Sequence, residues 1–197
     1  MRFGLPNVIT IARIFLIPLF VLTYLSSWQY SYIATAILFG LAAFTDWLDG
    51  YLARRLDQTT PFGAFLDPVA DKLIVVTALV LLIGHHANLW LTIPGLIIVG
   101  REIVISALRE WMAEMNSSVA VAVSLLGKIK TTLQMIAIAV LLANPPDLGS
   151  VWVMIGYVLV YVAAFMTLWS MSVYLGAAWP TLVESISKSS RKSNKYN

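Results

Sequence analysis

Six apolar tracts, separated by short polar connections, occupy most of this chain of 197 residues. Hydrophobic residues make up 59% of the chain and charged residues 12%, against roughly 25% charged residues in soluble domains. This composition excludes a disordered protein, a coiled coil or a nucleic-acid-binding domain. No tract alternates apolar with polar residues, so the predicted class is an all-α membrane protein and not a β-barrel. The tracts cover approximately residues 8–25, 32–45, 73–84, 89–100, 131–143 and 151–182.

The basic residues are distributed asymmetrically between the connections. The first, third and fifth connections contain no Lys or Arg, and all 13 basic residues lie near the termini or around the second and fourth connections. By the positive-inside rule, this pattern predicts a polytopic membrane protein, a six-transmembrane-helix bundle with both termini cytoplasmic. We expect a membrane domain over residues 1–183 and a disordered, basic cytoplasmic tail over 184–197. His85 and His86 fall in the third connection, which predicts an exposed outer loop.

Four of the tracts are short once charged residues are excluded. The charge-free stretches 14–25, 73–84, 89–100 and 131–143 contain 12 or 13 residues, whereas a helix that crosses a bilayer needs ~20. Each stretch is limited by charge at its predicted cytoplasmic end. We therefore expect the helices to continue through their charged ends, which would face a polar cavity. Snorkelling to the interface is the alternative for Lys72 or Arg13, but it suits short side chains such as Asp46 poorly.

Four aspartates in the second cytoplasmic region are spaced to share helical faces. Asp46 and Asp49 are three residues apart, and Asp67 and Asp71 are four apart, with Pro68 expected in the first turn of the third helix. Because the two helices are antiparallel and closely connected, the four carboxylates can converge. They would then share protons, as in a cation or proton transporter, or bind a multivalent cation. Oxygen-only ligands favour Mg²⁺ or Mn²⁺, ions typical of phosphate chemistry.

The segment 46–71 resembles the signature of the CDP-alcohol phosphotransferase family, D-x-x-D-G-x-x-A-R-x8-G-x-x-x-D-x-x-x-D. The family's six-helix architecture agrees with the number of tracts, and the eight-residue gap 55–62 also matches. Every fixed position of the signature is filled, by Asp46, Asp49, Gly50, Ala53, Arg54, Gly63, Asp67 and Asp71.

This resemblance implies a role for each matched residue. The four aspartates would bind one or two divalent ions, Mg²⁺ or Mn²⁺, that bridge the substrate pyrophosphate, and Asp71 would also be the general base. Arg54 would neutralise phosphate charge. The small residues Gly50, Ala53 and Gly63 would let the cytidine nucleotide lie against the helices.

The fourth cytoplasmic region is the expected acceptor site. Glu102, Ser106 and Arg109 share one helical face, and Arg101 lies at its edge. Further along the chain, two lysines follow Gly127, where we expect a loop or the start of a helix. Two Arg and two Lys suit an anionic phosphate better than a neutral acceptor, although they also fit a topological role. The predicted phosphate-binding residues are Arg101, Arg109, Lys128 and Lys130.

Residues 2 to about 175 are also similar to one bacterial branch of the family, which joins CDP-diacylglycerol to glycerol 3-phosphate and releases CMP. The branch resemblance implies that Asn7, Thr10 and Arg13 border the nucleotide or the lipid diphosphate. It further implies a multi-pass protein of the bacterial inner membrane, surrounded by membrane lipids, with its active site facing the cytoplasm, and commonly a homodimer. Inositol phosphate and phosphatidylglycerol are the alternative acceptors.

Overall fold

Each apolar tract forms part of one helix in the computed structural model, which describes residues 5–56, 61–114 and 125–193. Within these ranges the chain is helical with short connections and contains no strand, which confirms the predicted all-α class. The helices are α1 (Leu5–Leu25), α2 (Ser31–Leu56), α3 (Pro61–His86), α4 (Leu89–Glu114), α5 (Leu125–Leu142) and α6 (Val151–Ser193).

The helices continue through the charged segments that border the apolar tracts. Helices α2, α3 and α4 each contain 26 residues. At ~1.5 Å per residue, 26 residues extend over ~39 Å, which is longer than the ~30 Å hydrocarbon core of a bilayer. The expected extension of these helices is therefore confirmed, and it places the acidic segment of α2 and the basic segment of α4 on regular helical backbone.

Two details of the helix boundaries differ from the sequence-based expectation. Pro68 lies inside α3 and not in its first turn, because the helix begins seven residues earlier at Pro61. Proline has no N–H group, so the carbonyl of residue 64 lacks its usual helical hydrogen bond. The expectation of a loop or a helix start near Gly127 agrees with the structure, because α5 begins at Leu125, two residues before this glycine.

The second difference concerns the segment after residue 183. Helix α6 continues to Ser193, whereas the composition predicts disorder from residue 184. No Gly or Pro follows Pro180, so nothing local in the sequence interrupts the helix. The division of the chain into a membrane domain and a tail stays a prediction.

The helices pack around one apolar core. Helix α1 packs on α2 and α3, and α6 packs on α4 and α5. The α5–α6 contact is close at Gly156, where an added Cβ atom would lie 2.6 Å from a methyl carbon of Leu141. The core includes Phe20, Phe39, Leu79, Leu91, Ile138 and Val160, all less than 2% exposed.

Many outward-facing side chains are large and apolar. Phe15, Trp90 and Phe165 are each about 70% exposed (71%, 70% and 68%). Large apolar side chains exposed in this number suit contact with lipid better than contact with water. Within the described ranges, two helical segments, Leu89–Met112 and Val151–Gly176, are long and apolar enough to cross a membrane.

The two histidines lie in a helix and not in the loop that we expected, and His85 is exposed as expected, whereas His86 is not. Both belong to the last turn of α3, and His86 is buried with 9% exposure. The hydroxyl of Tyr157 lies 3.0 Å from His86 Nδ1 and accepts a hydrogen bond of 2.7 Å from the amide of Asn88. Asn88 also caps α4 by accepting the N–H of Leu91. His86 therefore joins α3 to the start of α4 and to α6.

Candidate functional site

Three aspartates of the predicted acidic site, Asp46, Asp67 and Asp71, contact one face of α1. Thr10 and Arg13 are three residues apart and are both 1% exposed. The Thr10 hydroxyl donates a hydrogen bond of 2.6 Å to Asp67 Oδ1. Arg13 Nη1 donates to Asp46 Oδ1 at 3.0 Å and also to Asp71 Oδ1. The face of α1 therefore binds one carboxylate of α2 and two of α3.

Burial and charge in this acidic site differ between the partners. The Arg13 side chain is 0% exposed, while the side chains of Asp46 and Asp71 are each 45% exposed. The guanidinium thus lies on the protein side of the site, and the carboxylates are accessible from solvent. With Asp67 included, three carboxylates and one guanidinium carry an excess of negative charge. A cation that approached from solvent would be attracted to this site.

Arg13 and Thr10 contact the aspartates, although the sequence assigned both residues to the nucleotide or the lipid diphosphate. The sequence could not show this contact, because it depends on how α1 packs against α2 and α3. Gly63, the first residue of the second half of the signature, is buried in α3. The side chains of Asn7, Asp49, Gly50, Ala53 and Arg54 lie outside the described residues. Their predicted roles stay predictions.

The donor set of the acidic site fits a hard divalent cation in type and in charge. Asp46 and Asp71 hydrogen-bond to the same nitrogen of Arg13, so their oxygens face one small region. Carboxylate oxygens are the ligands that Mg²⁺ and Mn²⁺ prefer. Among the side chains described in residues 5–56, 61–114 and 125–193, no three acidic or histidine groups already form a complete metal site. Asp46 and Asp71 are the described residues best placed to hold such an ion.

A second polar cluster, called the basic cluster below, joins α4, α5 and α6. It consists of Arg101, Glu102, Lys130 and Ser170. Glu102 Oε1 accepts hydrogen bonds from Arg101 Nη1 at 2.9 Å and from Lys130 Nζ at 3.2 Å. Arg101 Nη2 also donates to the Ser170 hydroxyl at 3.3 Å. The side chains are largely buried, with 10% exposure for Arg101, 22% for Glu102 and 2% for Lys130. The cluster brings together two of the four cations predicted to bind phosphate.

One hydrogen bond connects the neighbourhoods of the two clusters. Lys72, which follows Asp71, donates to the Ser106 hydroxyl, and Ser106 lies one helical turn beyond Glu102. Lys72 therefore bonds to α4 and does not simply extend toward an interface. This hydrogen bond joins the two helices one residue from Asp71 on α3 and one turn from Glu102 on α4. This proximity is what a reaction between two phosphate-bearing substrates requires.

Several polar residues in the basic cluster, or one helical turn from it, were missed from the sequence. We placed Glu102 on the acceptor face but gave it no role, and Gln134, Thr167 and Ser170 received none. Gln134 follows Lys130 by one turn within an otherwise apolar tract, a spacing that could have identified it. The side chains of Arg109 and Lys128, the other two predicted phosphate-binding residues, lie outside the described part of the structure.

Comparison with known proteins shows which protein family this chain resembles. A family model described as CDP-alcohol phosphatidyltransferase matches residues 3–169. The Pseudomonas fluorescens protein named CDP-diacylglycerol–glycerol-3-phosphate 3-phosphatidyltransferase is 55% identical over 180 residues, 91% of this chain and 92% of that protein. The Escherichia coli (strain K12) protein of the same name is 50% identical over 185 residues, 93% of this chain and all of that protein. A Shigella flexneri protein with this name shares the same identity and coverage.

Proposed function

Because the chain belongs to the CDP-alcohol phosphatidyltransferase family, we propose that it transfers the phosphatidyl group from CDP-diacylglycerol to glycerol 3-phosphate. The products are phosphatidylglycerophosphate and CMP, and the reaction serves phospholipid biosynthesis. The relatives that carry this activity in their names align over more than 90% of the chain. The structural observation that carries the proposal is that Arg13 binds Asp46 and Asp71 together beside the Thr10–Asp67 hydrogen bond.

The four aspartates of the signature hold the divalent cation in this proposal. Asp46 and Asp71 face one region, Asp67 contacts the same face of α1 through Thr10, and Asp49 completes the signature. When bound, one or two Mg²⁺ or Mn²⁺ ions would neutralise charge on the diphosphate of CDP-diacylglycerol. Arg13 holds the carboxylates from the protein side, which leaves their solvent side for the substrate.

Proton transfer in the reaction is assigned to Asp71. The 1-hydroxyl of glycerol 3-phosphate attacks the phosphorus that bears the diacylglycerol, and the bond from this phosphorus to the oxygen of CMP breaks. Asp71 accepts the hydroxyl proton, for which its 45% exposed side chain is accessible. Arg54, Gly50, Ala53 and the buried Gly63 are assigned to the cytidine nucleotide on the strength of the family signature.

The basic cluster is assigned to the phosphate of the acceptor. Arg101 offers planar donors and Lys130 a compact charge, and Glu102 keeps the two cations within reach of each other. Arg109 and Lys128 would complete the site from the same helices. The connection through Lys72 and Ser106 supports placing this phosphate beside Asp71.

The membrane arrangement is part of the same proposal. We assign six spans with both termini in the cytoplasm, the inner membrane as location, and a homodimer as assembly. The distribution of the 13 basic residues supports the orientation. Helices α2, α3 and α4 are long enough to cross a bilayer with their charged ends in one leaflet. An active site at this level would receive a lipid from the side and a water-soluble acceptor from the cytoplasm.

An acceptor panel tests the function directly. Purified protein receives Mg²⁺ and CDP-diacylglycerol, then separately glycerol 3-phosphate, inositol 1-phosphate, serine or phosphatidylglycerol, and CMP release is measured. We expect release with glycerol 3-phosphate. Preference for inositol phosphate or phosphatidylglycerol would replace the acceptor assignment. Absence of release with every acceptor would contradict phosphatidyl transfer and favour the cation or proton transporter.

A further inference from the structure

Two polar side chains lie one helical turn deeper in the bundle than the basic cluster. Gln134 is 5% exposed and Thr167 is 0% exposed. Gln134 follows Lys130 by one turn on α5, and Thr167 precedes Ser170, the partner of Arg101, by about one turn on α6. Because α5 and α6 run in opposite directions, Gln134 lies farther than Lys130, and Thr167 farther than Ser170, from the cytoplasmic ends of the helices.

The polar atoms of these two residues have no partner among the described residues. Gln134 Oε1 and Thr167 Oγ1 are both buried without a hydrogen bond there. Buried polar atoms are normally hydrogen-bonded, so each exception requires an explanation. Arg101 Nε, which belongs to the adjoining basic cluster, is also buried without a partner in the described structure.

The hydroxyl of Thr167 contrasts with other threonine hydroxyls of this helical protein. Thr35 is equally buried, but its hydroxyl donates to the Ser31 carbonyl at 2.7 Å in its own helix. Thr23 and Thr92 bind the carbonyl four residues earlier in the same way. Such a bond is the usual arrangement of a threonine inside an apolar helix. Thr167 does not form one, so its hydroxyl remains able to donate to a ligand.

We propose that Gln134 and Thr167 bind the 2-hydroxyl of the acceptor, and thereby select glycerol 3-phosphate among alkyl phosphates. Gln134 Oε1 accepts the proton of this hydroxyl, and the Thr167 hydroxyl donates to its oxygen. The inference rests on the proposed function, because it takes the acceptor phosphate to lie on Arg101 and Lys130. The next turn of each helix lies ~5.4 Å from these cations, a distance that the carbons of an acceptor can reach when its phosphate binds there.

The test compares glycerol 3-phosphate with 3-hydroxypropyl phosphate, which keeps the reactive hydroxyl and the phosphate but lacks the 2-hydroxyl. CMP release is measured with both acceptors for the parent protein, Thr167→Val and Gln134→Leu. The parent should prefer glycerol 3-phosphate in kcat/KM by roughly 100-fold or more, because a site built for a hydroxyl rejects an analogue without it. In each variant this ratio should fall at least about 10-fold, because glycerol 3-phosphate loses one hydrogen bond and the analogue no longer leaves that buried polar group unpaired.

Two further variants control for structural effects. Thr35→Val removes an equally buried hydroxyl outside the site and should leave the ratio unchanged. Thr167→Ser keeps the hydroxyl and should restore most of the preference. The ratio is independent of the folded fraction, because both acceptors are measured on one preparation.

Failure of this inference can be distinguished from failure of the proposed function. If Thr167→Val and Gln134→Leu keep the preference of the parent, or lose activity equally with both acceptors, the two residues do not bind the 2-hydroxyl. Phosphatidyl transfer to glycerol 3-phosphate would then still stand. If the parent protein releases no CMP with either acceptor, the proposed function itself fails, and this inference fails with it.

Discussion

Replacement of Arg13 by methionine removes the buried cation that holds Asp46 and Asp71 together. Removal of one partner from a fully buried ion pair costs ~3–5 kcal/mol. Both carboxylates are 45% exposed, so water replaces part of the lost interaction. We therefore expect Arg13→Met to lower the free energy of unfolding by about 2–3 kcal/mol in the absence of metal. For a chain of this size, this corresponds to a decrease in Tm of roughly 4–12 °C.

The decrease should depend on divalent cations, because they and Arg13 act on the same carboxylates. Thermal unfolding of the parent protein and of Arg13→Met is measured in detergent, with EDTA and with saturating Mg²⁺. Mg²⁺ should stabilise the variant more than the parent and reduce the difference in Tm to less than half. Arg13→Lys, which keeps the charge and loses the planar geometry, should give an intermediate Tm in EDTA.

Two results would refute this reasoning. An unchanged Tm of Arg13→Met in EDTA would show that Arg13 does not hold the carboxylates together. An equal decrease with and without Mg²⁺ would show that the cation and Arg13 act at different places.

Three further predictions concern the two clusters and the outer end of the bundle. Asp67→Asn and Asp71→Asn should each lower kcat at least ~100-fold at an unchanged elution volume in size-exclusion chromatography; near-normal turnover in either would reject the metal-site assignment. Glu102→Gln should raise the KM for glycerol 3-phosphate roughly 10-fold, with kcat changed less than about 3-fold, because Arg101 and Lys130 lose the charge that holds them; a change in kcat alone would contradict a role in acceptor binding. His86 lies at the end of α3, beyond the apolar stretch 73–84. Its burial, and to a smaller extent the neighbouring His85, lowers the pKa of His86 to about 4. Between pH 6.5 and 4 the unfolded chain therefore binds a proton that the folded chain does not, and the free energy of unfolding should fall by up to ~1.4 kcal/mol per pH unit as the pH decreases. The decrease in Tm over this range should be smaller in His86→Gln, and equal pH dependence in both proteins would contradict the assignment.

The agreement between sequence and structure is closest where the relevant interactions are local. An apolar tract that lacks strand alternation forms a helix whatever it packs against, and all six tracts do so. The spacing of Asp67 and Asp71 predicts a shared face because one turn separates them. Local rules are weaker at helix ends. Gly127 lies in the first turn of α5, as expected. Pro68 lies inside α3 although it suggests a boundary, because packing of the neighbouring turns outweighs the cost of one residue.

The candidate site likewise has features that the sequence predicts and features that only the structure shows. The signature from Asp46 to Asp71 identifies the family from the sequence, because its residue types and spacing are specific. The contact of Arg13 with two of these aspartates required the structure, since 33 and 58 residues separate the partners. The pairing of Glu102 with Lys130 also depends on how α4 packs beside α5.

The sequence by itself therefore determined the helical class of this protein, its family, and the residue types and spacing of its acidic segment. Hydropathy, charge and spacing along one helix are properties of neighbouring residues, which the sequence contains completely. Only the tertiary structure decided which cations face the aspartates, which carboxylate joins Arg101 to Lys130, and which buried oxygens remain for a ligand. These contacts depend on the rotation of each helix against its neighbours, and packing across the whole bundle sets that rotation.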